Sequence, residues 1–148
     1  ASTIVATHSL DRTKRETALA IEAAQSTLEA LKGVAFDEAF ARFNGTPSDD
    51  PPAGTSPGNT FAVRGLNVRA GDPDGFVGSV IFPGDGIELR EDSNDAALGM
   101  PRDLDDDTLV DAADHAGNYR LLPVRVRVDW TGDKGDRSIE FITALVDL

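Results

Sequence analysis

The chain contains no cysteine and only two histidines, His8 and His115. Without thiols there is no disulfide framework, no zinc–thiolate site and no cysteine nucleophile. Neither histidine has a partner at the spacing of an HExxH metal motif, and no GxSxG, Walker A or GxGxxG string occurs. The expectation is a protein that is not an enzyme and takes no small-molecule substrate. One catalytic alternative stands, a hydrolase built on His115 and nearby acids, which predicts that His115→Ala abolishes turnover. Long apolar runs are missing too: none reaches bilayer-spanning length, and none of these residues reads as a signal peptide. Basic residues are in short supply, with 14 Lys/Arg against 26 Asp/Glu and a net charge of -12. Such a surface repels nucleic acid and anionic lipid and attracts cations, so a nucleic-acid partner is excluded.

What is present has the make-up of one globular domain. At 148 residues the chain is long enough for a real core, and 40% hydrophobic with 27% charged residues is an ordinary globular balance. The acid is local: residues 34–116 hold five Lys/Arg against seventeen Asp/Glu, while residues 1–33 and 117–148 are each balanced. The 14 glycines and 8 prolines, concentrated after Gly33, imply turns and a loop-rich β region. We therefore divide a single domain, 1–148, into a helical spine (1–33), an acidic loop-rich region (34–116) and a C-terminal β-hairpin (117–148).

Leu10 to Lys32 is the one long helical signal. Leu10, Thr17, Ile21, Ala24, Leu28 and Leu31 recur at helical steps and draw one stripe, alanines favour the helix throughout, and Asp11 charges the first turn. Lys32 and Gly33 supply a cationic last turn and a stop. An amphipathic helix needs a cover, and only a sheet is on offer, which makes the fold class α+β: a long N-terminal helix packed on an antiparallel sheet. Ala1 rather than Met opens the chain, and Ile4 and Val5 are apolar, which raises the expectation that an apolar segment preceded Ala1.

Phe36, Phe40 and Phe43 lie at i, i+4 and i+7 and predict a short second helix facing the core. Thr46 to Asn59, with four prolines, two glycines and no large apolar residue, is an exposed loop, either a contact surface or mobile. Phe61, Val63, Leu66 and Val68 suggest a strand broken by Gly65; Phe76 to Phe82 suggests a buried strand bulged at Gly78; Ile87 to Arg90 suggests a short one. Residues 71–75, GDPDG, form a turn. Val124, Val126, Val128 and Trp130 alternate with Arg125, Arg127 and Asp129, and Ile139, Phe141, Thr143 and Leu145 return. If the turn at Thr131 to Asp136 is symmetric, Val128 faces Ile139, Val126 faces Phe141 and Arg127 meets Glu140. The acids Asp129, Asp133, Asp136 and Glu140 then belong to a hairpin and not to a metal loop.

The segment with chemistry in it is Asp103 to Asp114. With Asp103 as position 1, carboxylates fall at positions 1, 3, 5, 9 and 12 (Asp103, Asp105, Asp107, Asp111, Asp114), with the Leu109 carbonyl at 7 and apolar Val110 at 8. That is the ligand order of an EF-hand-type loop, in which alternate side chains turn inward to give a hard cation its six to eight oxygens. The segment resembles the dockerin-type calcium loop, whose last ligand is Asp. Thr108 stands where that loop has a left-handed glycine, a costly place for a β-branched residue.

The order of parts resembles type IV pilin-like proteins, in particular minor pilins and pseudopilins of type II secretion. The helix end AIEAAQSTLEALKG supplies Ala24, Leu28, Glu29 and Leu31; the terminal LLPVRVRVDWTGDKGDRSIEFITALVDL supplies Val126, Val128, Trp130, Arg137 and Thr143. The resemblance covers the two ends, about half of the chain. It implies a non-enzymatic subunit of a pilus or secretion pseudopilus, anchored in the inner membrane of the bacterial envelope through a segment before Ala1. It also implies partners among other pilin or pseudopilin subunits and a structural Ca2+. The alternative from another class is a secreted, calcium-stabilised β-rich module that binds its partner through the proline-rich and acidic loops.

Overall fold

The computed structural model describes residues 2–147, the side chains of residues 2–10 excepted. Helix α1 runs from Ser2 to Gly33 and is longer at its start than its apolar stripe predicts, so Asp11 lies inside the helix and not in its first turn. Lys32 does occupy the last turn. Leu10, Ile4 and Val5 fall among the residues whose side chains are not described. The face that α1 buries runs through Glu16, Ala20, Ala24 and Leu31, with Thr17, Ile21 and Leu28 half-buried beside it. The expected stripe is thus one edge of the real face. Two alanines at its centre bring the helix backbone close to the sheet. At its upper end the Glu16 carboxylate accepts hydrogen bonds from the indole N–H of buried Trp130 (3.0 Å) and from Arg12 Nε (3.0 Å).

Beneath α1 lies one antiparallel sheet, β1 (Thr60–Phe61), β2 (Gly78–Ile81), β3 (Leu121–Gly132) and β4 (Gly135–Val146), in the order β1-β2-β3-β4. The period-two pattern of β3 decides its faces: Leu122, Val124, Val126, Val128 and Trp130 are fully buried under the helix, and Arg125, Arg127 and Asp129 point the other way. The hairpin register is the symmetric one, with Val128 opposite Ile139, Val126 opposite Phe141 and Arg127 opposite Glu140. Arg127 donates to Glu140 (3.4 Å) on the outer face. At the turn Arg12 pairs with Asp133 (3.5 Å), while Leu31 lies with Leu145 and Val146 at the far end. The helix therefore follows the whole hairpin, and its residues before Arg12 run beyond the turn.

The weaker strand signals are shortened. Only Thr60–Phe61 pairs; Gly65, at φ +95°, turns the chain, Leu66 N–H bonds to Val63 C=O (3.1 Å), and Asn67 makes a single bridge to Thr131. Gly78 is no bulge, since it pairs with both Phe61 and Val128. It is glycine because the Phe61 ring lies where its Cβ would stand. Ile87 to Arg90 forms only single bridges, Gly84 to Leu89 and Arg90 to Asp114.

The phenylalanine repeat becomes a 3-10 turn (Phe36–Glu38) followed by a short helix α2 (Ala39–Phe43). Phe40 and Phe43 are buried, Phe40 packs edge-on against Phe82 with centroids 5.1 Å apart, and the Tyr119 hydroxyl donates to Phe36 C=O. The proline-rich loop after α2 is exposed over much of its length but anchored. Buried Arg42 donates to Ala53 C=O (2.6 Å), Thr55 C=O (3.0 Å) and Glu38 (3.2 Å), and Asn44 donates to Asp49 (2.6 Å). Beyond β2 the chain crosses to the outer side of the sheet, where Asp95 approaches Arg125 (3.8 Å) and Leu104 C=O receives the N–H groups of Arg120 and Leu121. This crossing carries the acidic loop. Among the described residues no helix is long and apolar enough to cross a membrane.

Candidate metal centre

Asp103 is the residue around which the acidic loop folds. Its carboxylate accepts N–H bonds from Asp105 (3.2 Å), Asp106 (3.0 Å) and Thr108 (2.8 Å), so five residues wrap back on one side chain. To do so the chain enters the left-handed region twice, at Asp106 (φ +61°) and at Thr108 (φ +69°). Thr108 thus takes the left-handed conformation that the loop pattern requires at its glycine position, despite its branched Cβ. Asp107 turns in next, accepting the N–H of Leu109 (2.8 Å). Between these acids Leu104 is fully buried and fastens the loop to the core.

The residue that completes the cluster comes from outside the spaced pattern. Glu91, fully buried, accepts the N–H of Leu104 on Oε2 (2.6 Å) and the N–H of Asp111 on Oε1 (3.1 Å). It brings a carboxylate oxygen to within 4.8 Å of oxygens of Asp103, Asp105 and Asp107. Of the six residues that spacing nominates, the structure gathers Asp103, Asp105 and Asp107 here. Asp111 is turned to His115, and Asp114 is drawn off toward Leu89 N–H (2.9 Å) and Ala116 N–H (3.0 Å). Leu109 is exposed on the loop. The segment closes on a bridge between Arg90 and Asp114, and the Asp114 side chain accepts backbone N–H groups in place of joining the other carboxylates.

His115 sits behind the cluster, buried. Its Nε2 lies 2.8 Å from Asp111 and 3.1 Å from Glu91, and its Nδ1 lies 3.0 Å from the Asn118 side-chain oxygen and 3.4 Å from Asp105. Every neighbour of the ring nitrogens is an oxygen, an arrangement that suits a doubly protonated imidazolium. Burial opposes that charge, but the hydrogen bonds to Asp111 and Asn118 and the fields of Glu91 and Asp105 raise the His115 pKa above its ordinary value. The same ring holds Asp111 below the usual carboxylate range, with help from Ala113 N–H. Asp103 is also held low: desolvation opposes its charge, and the Thr108 N–H and neighbouring donors prevail.

Asp105 carries the strain of the cluster. Desolvation first, then the neighbouring Asp103, Asp107 and Glu91, push its carboxyl up to about 6. Its Oδ2 has Asn118 at 3.4 Å, while its Oδ1 is buried with no hydrogen-bond partner. A buried carboxylate oxygen without a donor, inside a shell made of other carboxylates, is a position that either a cation or a proton would satisfy. Oxygen-only donors at Glu91, Asp103, Asp105 and Asp107 fit a hard divalent ion such as Ca2+. Sequence spacing could not nominate Glu91, whose burial depends on long-range contacts with Leu104 and Asp111. Compared with protein-family models, curated proteins and solved structures, the chain matches none of them.

Proposed function

We propose that this chain is a non-enzymatic, pilin-like structural subunit, assembled through its N-terminal helix into a pilus or secretion pseudopilus and stiffened by Ca2+ at the acidic loop. The observation that carries the reading is α1 itself. It is 32 residues long, roughly 48 Å at the α-helical rise, and follows the whole β3–β4 hairpin before passing its turn at the Arg12–Asp133 pair. A domain that needed the helix only to cover its sheet could end it there. A helix that continues offers a surface to neighbouring copies, as the spine of a helical fibre does. The resemblance of its two ends to pilin-like proteins supplies the rest: inner-membrane anchoring through a segment before Ala1, and an outward-facing sheet and loops.

Calcium has a separate support, the partnerless buried oxygen of Asp105 among Glu91, Asp103 and Asp107. In this reading the ion is structural, neutralising carboxylates that otherwise repel one another and fixing a loop on the fibre's outer surface.

The assembly reading is tested on the gene product with whatever coding sequence precedes Ala1, expressed in a bacterial host. Membrane fractionation and cross-linking through cysteines introduced on the exposed helix positions Lys14 and Ala18 are expected to place it in the inner membrane and in contact with other subunits. A protein that is released free of membrane and forms no helix-to-helix cross-links overturns the proposal and favours the secreted binding module.

A further inference from the structure

The acids and the histidine at the back of the loop form a second constellation, chemically unlike the first. Glu91, Asp111 and His115 each present one donor atom, and the three lie within 4.8 Å of one another. Two are buried, and each is held from outside the trio. Leu104 N–H fixes Glu91, and Asn118 faces Nδ1 of His115, so that Nε2 points at the two carboxylates. A metal-binding imidazole is oriented in this way, by an oxygen acceptor on its other nitrogen. The separations from Nε2, 2.8 Å to Asp111 and 3.1 Å to Glu91, fall a few tenths of an ångström short of the roughly 3.3 Å edge expected of a tetrahedral shell with metal–ligand bonds of about 2.0–2.1 Å. The Asp111 side chain is 47% exposed and opens the trio to solvent, while its partners are almost wholly enclosed.

We propose that Glu91, Asp111 and His115 form a site for a borderline divalent transition ion of the Zn2+ class, separate from the all-oxygen calcium site and sharing only Glu91 with it. Donor chemistry separates the two. An imidazole nitrogen with two carboxylates suits zinc, cobalt or nickel, whereas four carboxylates suit a hard ion. Three protein donors leave a tetrahedral ion one position for water. In taking Nε2 the ion replaces its proton, which is released to solvent. The site does not depend on the assembly reading or on calcium.

Isothermal titration with Zn2+ and the absorption bands of bound Co2+ test this on the 148-residue chain. The expected result is binding of one ion, with intense visible Co2+ bands of a four-coordinate site, unchanged in His8→Ala. Binding is expected to be lost in Asp111→Asn and His115→Gln, and to weaken about tenfold to a hundredfold in Asn118→Ala, which removes the orienting partner of His115. Asp111 is exposed, so Asp111→Asn keeps the result interpretable even where His115→Gln unfolds. Absence of Zn2+ binding, or binding that survives Asp111→Asn, overturns the site.

Discussion

At the scale of single residues, the positions that matter most are those whose chemistry runs against their surroundings. Glu16 is an acid at one end of a helix's buried face, and it is there because Trp130 places an indole N–H under the helix that needs an acceptor. Apolar periodicity passes over such a residue by construction, which is why the expected stripe lies to one side of the real one. Gly78 is a glycine in a paired strand, where strand preference alone would choose almost any other residue. Its reason is one ring. We expect Gly78→Ala to destabilise the protein by about 1–3 kcal/mol through overpacking against Phe61, as read from the urea midpoint. Adding Phe61→Ala should recover part of that loss, making the pair strongly non-additive. Additive effects would show that the ring is not the obstacle.

At the scale of elements, legibility followed the range of the forces. The alternation of Val124 to Trp130 is local, and it gave both the faces of β3 and, through a symmetric turn, the register with β4. The edge pieces were less legible because pairing depends on partners far away: Val63 and Leu66 have strand composition but lie on a turn at Gly65. The acidic loop is a mixed case. Of the spaced acids, Asp103, Asp105 and Asp107 come together, their geometry set by hydrogen bonds within a few residues, while Asp114 lies apart on a distant backbone N–H at Leu89. Glu91 carried no local signal at all.

Arg42 shows the same limit for loops. Composition describes Thr46 to Asn59 as a segment with little to bury, but one buried guanidinium from α2 takes two of its carbonyls and fixes its path. Arg42→Ala should leave most of the core in place and open this loop. Because every 1.4 kcal/mol of lost local stability is about tenfold in the open population, cleavage by a broad-specificity protease should quicken about tenfold and map between residues 46 and 59. An unchanged cleavage rate would mean that the loop is held by something other than Arg42.

For the whole molecule the dominant feature is charge. All of the net -12 resides between residues 34 and 116, and the acidic loop lies in the same region. Two effects of calcium must therefore be separated, general screening of an acidic surface and occupation of one site. Screening by salt is diffuse, with a Debye length of about 10 Å at 0.1 M, and it should respond to any removal of acid. A site responds only to its ligands: a free ion at a hundred times its dissociation constant adds about 2.7 kcal/mol, which is several degrees of Tm for a chain of this size. In a buffer of about 0.1 M NaCl, where screening is already in place, millimolar Ca2+ should still raise the Tm by several degrees. The Asp103→Ala/Asp107→Ala variant removes two charges from a self-repelling cluster, so its Tm without calcium should fall less than the loss of two loop-forming side chains alone would cause, and its calcium response should vanish. Asp37→Asn/Asp50→Asn removes the same charge from the same acidic region outside Asp103 to Asp114 and should keep the full response. Equal responses in the two variants would reduce calcium to a counterion, and no response in the unaltered chain would remove the ion from this protein altogether.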